Sequence, residues 1–397
     1  MSQTDNTEQT EQIEEKTAEQ TTDQTTEPKE SIREKLTFFV FSKYRGELFG
    51  ISILFIMAFH YFHTVVNNRT KTQDHYYSSY LFCRAFGSIG VEVFLFLSGM
   101  GLYFSYTKRK DISAFFRKRY VRILIPYAMY ASIAWFISDL VVTDHKFTRY
   151  LYDLSLTSFW INGEKRLWFI SAIVVFYVFF PLFYEIVTSK HYKINTALII
   201  AFLVGVLYLA HEEKPKSFAV TEIATTRLPI FIFGVFIGRL VFEKAPIKKW
   251  HIAAAAATVM MRAVVFILGV KNKFGGLDNK TLKFINDAAG SAVGKRMESS
   301  LASIGFMAVC IAVLALIKWQ PLHSFLKTVG SVSLELYMAH VTVNGIIASE
   351  GSLDICEPPV YLLSMVISVS AAIVLHISST AVINKLTKKP APAKADT

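Results

Sequence analysis

His60 lies inside the apolar run Leu48–Val66, where an imidazole is costly unless it faces other protein or a wet cavity. Histidine changes charge near neutral pH and serves well as a general base, so the position offers chemistry. The bland reading is a polar residue hydrogen-bonded to a neighbouring helix, and position alone does not choose between the two. Other polar residues interrupt apolar runs in the same way. Glu92 follows Gly90 and Val91 at the start of a second run, where a carboxylate needs a cation, a donor or a proton. Arg262 breaks a later run near its middle and is a possible partner for Glu92, while His340 sits in a run that also holds Ser333, Glu335 and Tyr337. Taken alone, His340 reads as a structural histidine.

A basic string, Phe116-Arg117-Lys118-Arg119-Tyr120-Val121-Arg122, enters a third run. Arg119 and Arg122 are three apart and share a helical face. Two guanidinium groups at one mouth suit a phosphorylated ligand, because arginine grips phosphate oxygens in a bidentate way. The plain alternative for Arg117, Lys118 and Arg119 is a topology anchor; Arg122 already lies within the apolar segment. Arg166 precedes Leu167-Trp168-Phe169-Ile170-Ser171 at the start of a fourth run, where Trp168 also fits an ordinary interfacial aromatic.

The elements that must position these groups are membrane helices. Of 397 residues 52% are hydrophobic and 14% aromatic, and the mean hydropathy is +0.37. Ten stretches approach the ~20 residues a helix needs to cross a bilayer: 48–66, 89–106, 121–140, 167–187, 194–209, 228–242, 252–270, 301–317, 331–347 and 360–382. The expected fold is an all-α, polytopic bundle of about ten transmembrane helices. Residues 1–43 read as a disordered tail whose Leu36–Phe41 segment suits an interfacial helix; residues 44–384 form the membrane domain and 385–397 a second tail. No cleavable signal peptide is expected.

The net charge of +11 does not indicate nucleic-acid binding, since Lys and Arg cluster in short loops between spans. Loop 107–119, with Lys108, Arg109, Lys110, Arg117, Lys118 and Arg119, is expected on the cytoplasmic side, which places both termini there. Loop 271–300 is assigned to the opposite side despite six basic residues, and its length weakens its vote. Cys83 and Cys356 fall in loops on that opposite side and either pair or stand as free thiols; Cys310 reads as a packing residue. The chain has no Walker sequence, Gly-x-Ser-x-Gly elbow or zinc-ligand spacing, which argues against an ATP-driven pump, a soluble-type hydrolase and a metal centre.

In order along the chain, these strings resemble the acyltransferase 3 family of bacterial integral-membrane acyltransferases. The likeness runs from about residue 44 to 384. It rests on Tyr44-Arg45-Gly46-Glu47-Leu48 with Gly50 and His60, on Gly90 to Gly99, and on Phe115 to Tyr127 with Arg119 and Arg122. Leu167 to Ser171 with Phe180-Pro181-Leu182, then Phe233 to Gly238, then Gly330 to Tyr337 with His340, complete it. Two positions depart from the pattern: Phe49 stands where many members carry a basic residue eleven before the histidine, and Glu92 stands where many have Asp. No fused esterase-like domain is expected.

The resemblance implies transfer of an acyl group, often acetyl, from cytoplasmic acyl-CoA to a hydroxyl of an envelope glycan or glycan precursor, in a multi-pass protein of the bacterial plasma membrane. It implies His60 as base or transient nucleophile, Glu92 or His340 as its helper, and Arg117, Lys118, Arg119 and Arg122 at the CoA phosphates. Arg166, Trp168, Ser171 and Arg262 become candidate acceptor contacts. The competing readings are a proton-coupled transporter, for which intramembrane His, Glu and Arg are equally suitable, and an acyltransferase acting on a small or lipid-linked molecule.

Overall fold

A computed structural model describes residues 36–68, 86–87, 89–108, 110–142, 146–213, 215–273, 292–350 and 357–387. Cys83, Cys356, Arg109, most of loop 271–300 and most of both tails lie outside these residues.

Helices occupy all ten expected stretches. A single turn, α1 (Val40–Lys43), leads into α2 (Arg45–Asn68), which carries His60. Then follow α3 (Gly90–Lys108) and α4 (Ile112–Trp135), the latter running on as a π-helix over Phe136–Val142. Two short helices, α5 (Phe147–Leu154) and α6 (Thr157–Asn162), cap that end, and α7 (Trp168–Thr188) returns through the bundle. The remainder comprises α8 (Tyr192–Glu213), α9 (Pro215–Thr225), α10 (Leu228–Phe242), α11 (Lys249–Lys273), α12 (Ala292–Leu316), α13 (Gln320–Ser331), α14 (Ser333–Glu350) and α15 (Pro358–Thr387).

Among the described residues, eight segments are long and apolar enough to cross a membrane. The ten expected spans are reached only with α3 and α14, and the reason is burial. Helix α3 is central: Val93, Leu95, Phe96, Leu97, Met100 and Leu102 are all nearly inaccessible, as is Glu92. A helix sheathed by protein can carry polar groups that a lipid-facing one cannot. By contrast α8 and α11 present long apolar faces outward, with Leu198, Phe202, Met260 and Val264 more than half exposed, as expected of helices facing acyl chains. The short stretch 228–242 gains length because α9 precedes α10, and the apolar segment runs over Phe218–Phe242 with Arg227 at the joint.

Two glycine contacts set the centre. A Cβ at Gly99 would overlap the Phe231 carbonyl, and one at Gly234 would overlap that of Phe96, so α3 and α10 touch backbone to backbone. Gly50 and Gly330 do the same for α2 and α13. At that second junction buried Glu47 is met by His323 Nδ1 at 3.1 Å and Lys327 Nζ at 3.4 Å, while His323 Nε2 donates to the Ile317 carbonyl at 2.9 Å. The Leu36–Phe41 segment is helical only from Val40. Phe38 and Phe41 are buried in the core, and the Phe38 amide donates to the Ala245 carbonyl at 2.9 Å.

Candidate functional site

Helix α2 brings His60 to α14, where its Nδ1 lies 3.0 Å from His340 Nε2, the two rings stacked at 24° with centroids 5.2 Å apart. His340 is 1% exposed, and its Nδ1 lies 2.8 Å from the Leu336 carbonyl. The proton positions follow from the acceptors. A carbonyl only accepts, so His340 Nδ1 carries a hydrogen; in the neutral ring Nε2 then accepts, so His60 Nδ1 donates to it. Neutral His60 therefore keeps its lone pair on Nε2, the arrangement of a base whose tautomer is held by a second group. Aromatic hydroxyls hold the frame. Tyr361 donates to the Met57 carbonyl at 2.7 Å, which ties α15 to α2 three residues before His60, and Tyr130 donates to the Ala339 carbonyl at 3.4 Å beside His340.

At the other end of α2, three guanidinium groups gather. Arg119 donates to the Gly101 carbonyl at 3.3 Å, and a Cβ on Gly101 would come within 2.9 Å of an Arg45 terminal nitrogen. The ionisable neighbours of Arg45 are Tyr177, Arg119 and Arg122; those of Arg119 are Tyr177 and Arg122. Among the described residues no carboxylate stands with them. Among the described residues, the buried Nε atoms of Arg45 and Arg119 have no hydrogen-bond partner. Arg45 also lies over the Phe49 ring at 4.9 Å, so a guanidinium reaches position 49 from one turn earlier on the same helix face. Of the other expected donor contacts, Arg117 reaches the Leu386 carbonyl at 3.5 Å near the end of α15, and exposed Lys118 stays at the surface. Arg45 lies fifteen residues before His60, about 22 Å along a helix at 1.5 Å per residue.

Glu92 does not meet either histidine. Its carboxylate takes Arg227 at 3.0 Å, both side chains at most 3% exposed, and Arg227 also lies over Trp168 at 5.0 Å. Arg262 takes Glu298 of α12 instead, and nearby Arg296 takes Glu222 at 3.0 Å. The pairing of Arg262 with Glu92 considered from sequence gives way to these two pairs, because α9 and α10 place Arg227 directly against α3.

Arg166 is held at the α5–α6 end. It reaches Asp139 at 3.5 Å and Glu164 at 3.1 Å, and lies over Trp135 at 4.1 Å. Arg149 completes the group through Asp153 at 2.9 Å and Glu164 at 3.0 Å. Burial of the Glu164 carboxyl works against its ionisation. The hydrogen bonds and charge of Arg166, then the charge of Arg149, outweigh it and hold the pKa below its ordinary 4.5. Ser171 donates to the Leu156 carbonyl at 2.6 Å and so pins the α5–α6 turn, where Leu156 has φ 64°, a conformation uncommon for a branched side chain. Tyr337 joins this end to the histidines. It sits on α14 less than a turn before His340, donates to the Arg166 carbonyl at 3.3 Å and accepts from the Phe169 amide at 3.4 Å.

The structure thus brings His60 to His340, Arg119 to Arg122 and Arg166 to the start of α7, and leaves Glu92 and Arg262 in separate ion pairs. Sequence reasoning missed Arg45, Asp139, Asp153 and Glu164 as members of these clusters and did not assign Arg227 to Glu92. Arg45 did have a signal: it stands four residues, one helical turn, before the position that departs from the family pattern.

A family model described as an acyltransferase domain matches residues 50–377, most of the chain. Neither the curated proteins nor the solved structures compared with the chain gave a match.

Proposed function

The chain belongs to the acyltransferase 3 family and is a multi-pass membrane acyltransferase; on that premise we propose that it moves an acyl group, acetyl in the simplest case, from cytoplasmic acyl-CoA to a hydroxyl of an envelope glycan. The observation that carries this reading is the His60–His340 contact on the helix that also bears Arg45. A polyanionic donor would bind at the arginine end, where Arg45 and Arg119 stand beside Arg122 with no carboxylate among their described charged neighbours. Its pantetheine arm would span the roughly 22 Å to His60. The loop around Arg117 and Lys118 would then face the cytoplasm, as its basic residues favour.

In the reaction, His60 Nε2 takes the proton of the acceptor hydroxyl as the oxygen attacks the thioester carbonyl. The C–S bond breaks, the thiolate leaves, and the imidazolium returns a proton to give free CoA and the ester. His340 acts as a positioning residue: by accepting from Nδ1 it holds the base in the reactive tautomer and favours the imidazolium when it forms. A two-step course, with the acyl group held briefly on His60 Nε2, balances equally well.

The test uses membranes containing the protein, labelled acetyl-CoA and glycan acceptors. The His60→Ala variant is expected to lose transfer by about 10²–10⁴-fold, the usual contribution of general-base catalysis. Wild-type rates in that variant would sink the catalytic role. Solute movement into sealed vesicles without any need for CoA would favour a transporter instead.

A further inference from the structure

The first turn of α2 carries Arg45, and α13, which lies outside the apolar spans, grips that turn. A Cβ at Gly50 would overlap the Leu326 carbonyl, and one at Gly330 would overlap that of Gly46, so the two helices touch backbone to backbone. Glu47 sits inside this contact, two residues after Arg45 and 1% exposed. His323 of α13 meets Glu47 Oε1 through Nδ1 at 3.1 Å and the Ile317 carbonyl through Nε2 at 2.9 Å. A carboxylate and a carbonyl only accept, so each ring nitrogen carries a hydrogen. A histidine that donates from both nitrogens is an imidazolium. Lys327 Nζ also reaches Glu47 Oε1, at 3.4 Å, but its side chain is 57% exposed, so water screens it and the buried imidazolium is the firmer hold. Among the described residues, the charged or titratable groups facing the ring are Glu47 of α2, Lys327 of α13 and Tyr44, whose ring centroid lies 6.2 Å away.

We propose that His323 is a positioning residue for donor binding: in its charged form it holds Glu47, and with it the first turn of α2, so that the Arg45 guanidinium stays beside Arg119 at Gly101. The assignment rests on the acyl-CoA reading above. Arg45 is placed by packing, against Gly101 on one side and over the Phe49 ring at 4.9 Å on the other. Its place therefore depends on where its own backbone turn is held. The hold is sensitive to pH. Hydrogen bonds to the Ile317 carbonyl and then to Glu47 raise the His323 pKa above its ordinary 6.5, against the opposing effects of burial and of Lys327. The contribution of the charged ring is complete below pH 6.5 and is lost as pH rises through the higher folded value. Donor affinity then falls at alkaline pH although no arginine has titrated.

Full-length protein in lipid nanodiscs is titrated with CoA at several values from about pH 6 to about pH 9, a range that spans the histidine transition. Titration of the CoA phosphates is common to wild type and variants, so the ratio of their affinities isolates His323. At about pH 6, His323→Gln should weaken CoA about fivefold, a part of the roughly 10–100-fold that a charge-assisted hydrogen bond carries. The ratio should fall toward one as pH rises. Glu47→Gln, with nearly unchanged shape, should remove the same pH-dependent part, and thermal unfolding checks that each variant is folded. In an Arg45→Ala background, His323→Gln should cost nothing further, because its effect passes through Arg45. A ratio that is constant across pH would mark His323 as merely structural and would overturn the proposal. Independent, additive losses from Arg45→Ala and His323→Gln would overturn it as well. Failure of the wild type to bind CoA would sink the donor reading instead. Inorganic pyrophosphate, titrated into the same samples, then reads the arginine end directly: the same pH-dependent ratio would uphold the positioning role, and no binding would overturn it.

Discussion

The two ends of α4 handle arginine in opposite ways. At the α5–α6 end Arg166 and Arg149 are held by Asp139, Asp153 and Glu164. At the start of α4, Arg119 and Arg45 meet at Gly101 with Arg122 nearby, and among the described residues no carboxylate pairs with them. A guanidinium that is matched by carboxylates braces structure. Clustered guanidiniums without one repel each other and are relieved by an anion from outside. The contrast is more informative than the number of basic residues at either end, because it separates cations matched by carboxylates from cations that have none among the described residues.

The buried Glu92–Arg227 pair is the extreme of the matched class, and breaking it tests that class hardest. Arg227→Met leaves a carboxylate stranded against α3 and is expected to cost about 3–5 kcal/mol, visible as a large drop in the thermal unfolding midpoint. A folded, equally stable variant would show that Glu92 has another partner. The unmatched class should behave differently. Arg45→Ala and Arg119→Ala are each expected to weaken acyl-CoA binding by about 10–100-fold, the loss of a charge-assisted hydrogen bond of roughly 1.5–3 kcal/mol. Stability should hold or rise as like charges separate. Binding unchanged in both variants would remove the donor site from this end.

A smaller effect comes from acid. Glu164 has a folded pKa below its ordinary 4.5, so its stabilising contribution is complete above that value and is lost as pH falls through the lower folded pKa. Its side chain is 20% exposed, so solvent screening limits the contribution to about 0.2–1 kcal/mol. Glu164→Gln should lower the unfolding midpoint slightly at neutral pH and leave it unchanged well below pH 4.5; an equal shift at both pH values would contradict the ion-pair account. The gentlest probe is Gly101→Ala. Its Cβ would press on the Arg45 guanidinium, the movable end of a long side chain, and should weaken acyl-CoA binding only a few-fold. A loss as large as that of Arg45→Ala would mean the Arg45 position tolerates no shift.

Much of this molecule was legible in its residues, because lipid imposes a strong rule: a span exposed to acyl chains must be apolar. Eight of the ten expected spans meet that rule among the described residues, and the departures from it marked His60, Glu92, Arg262 and His340. The same rule failed to say what each departure meets. His340 read as a structural histidine, yet it accepts from His60 across 280 residues of chain. Glu92 read either as a structural ion pair or as a helper of the imidazole, and the cation it meets is Arg227. Arg45 drew little notice, since an arginine near the mouth of a span is ordinary.

By itself, then, the sequence determined the class of the protein, the order of its membrane helices and the presence of a histidine with chemical potential, since these depend on local apolarity and on strings of residues close in the chain. Only the tertiary structure decided the partners. Backbone contacts of Gly99 with Phe231, Gly234 with Phe96, Gly50 with Leu326 and Gly330 with Gly46 fix how closely the helices approach and which faces turn inward. Partnership between charges depends on angstroms across helix interfaces, a distance that spacing along the chain does not encode.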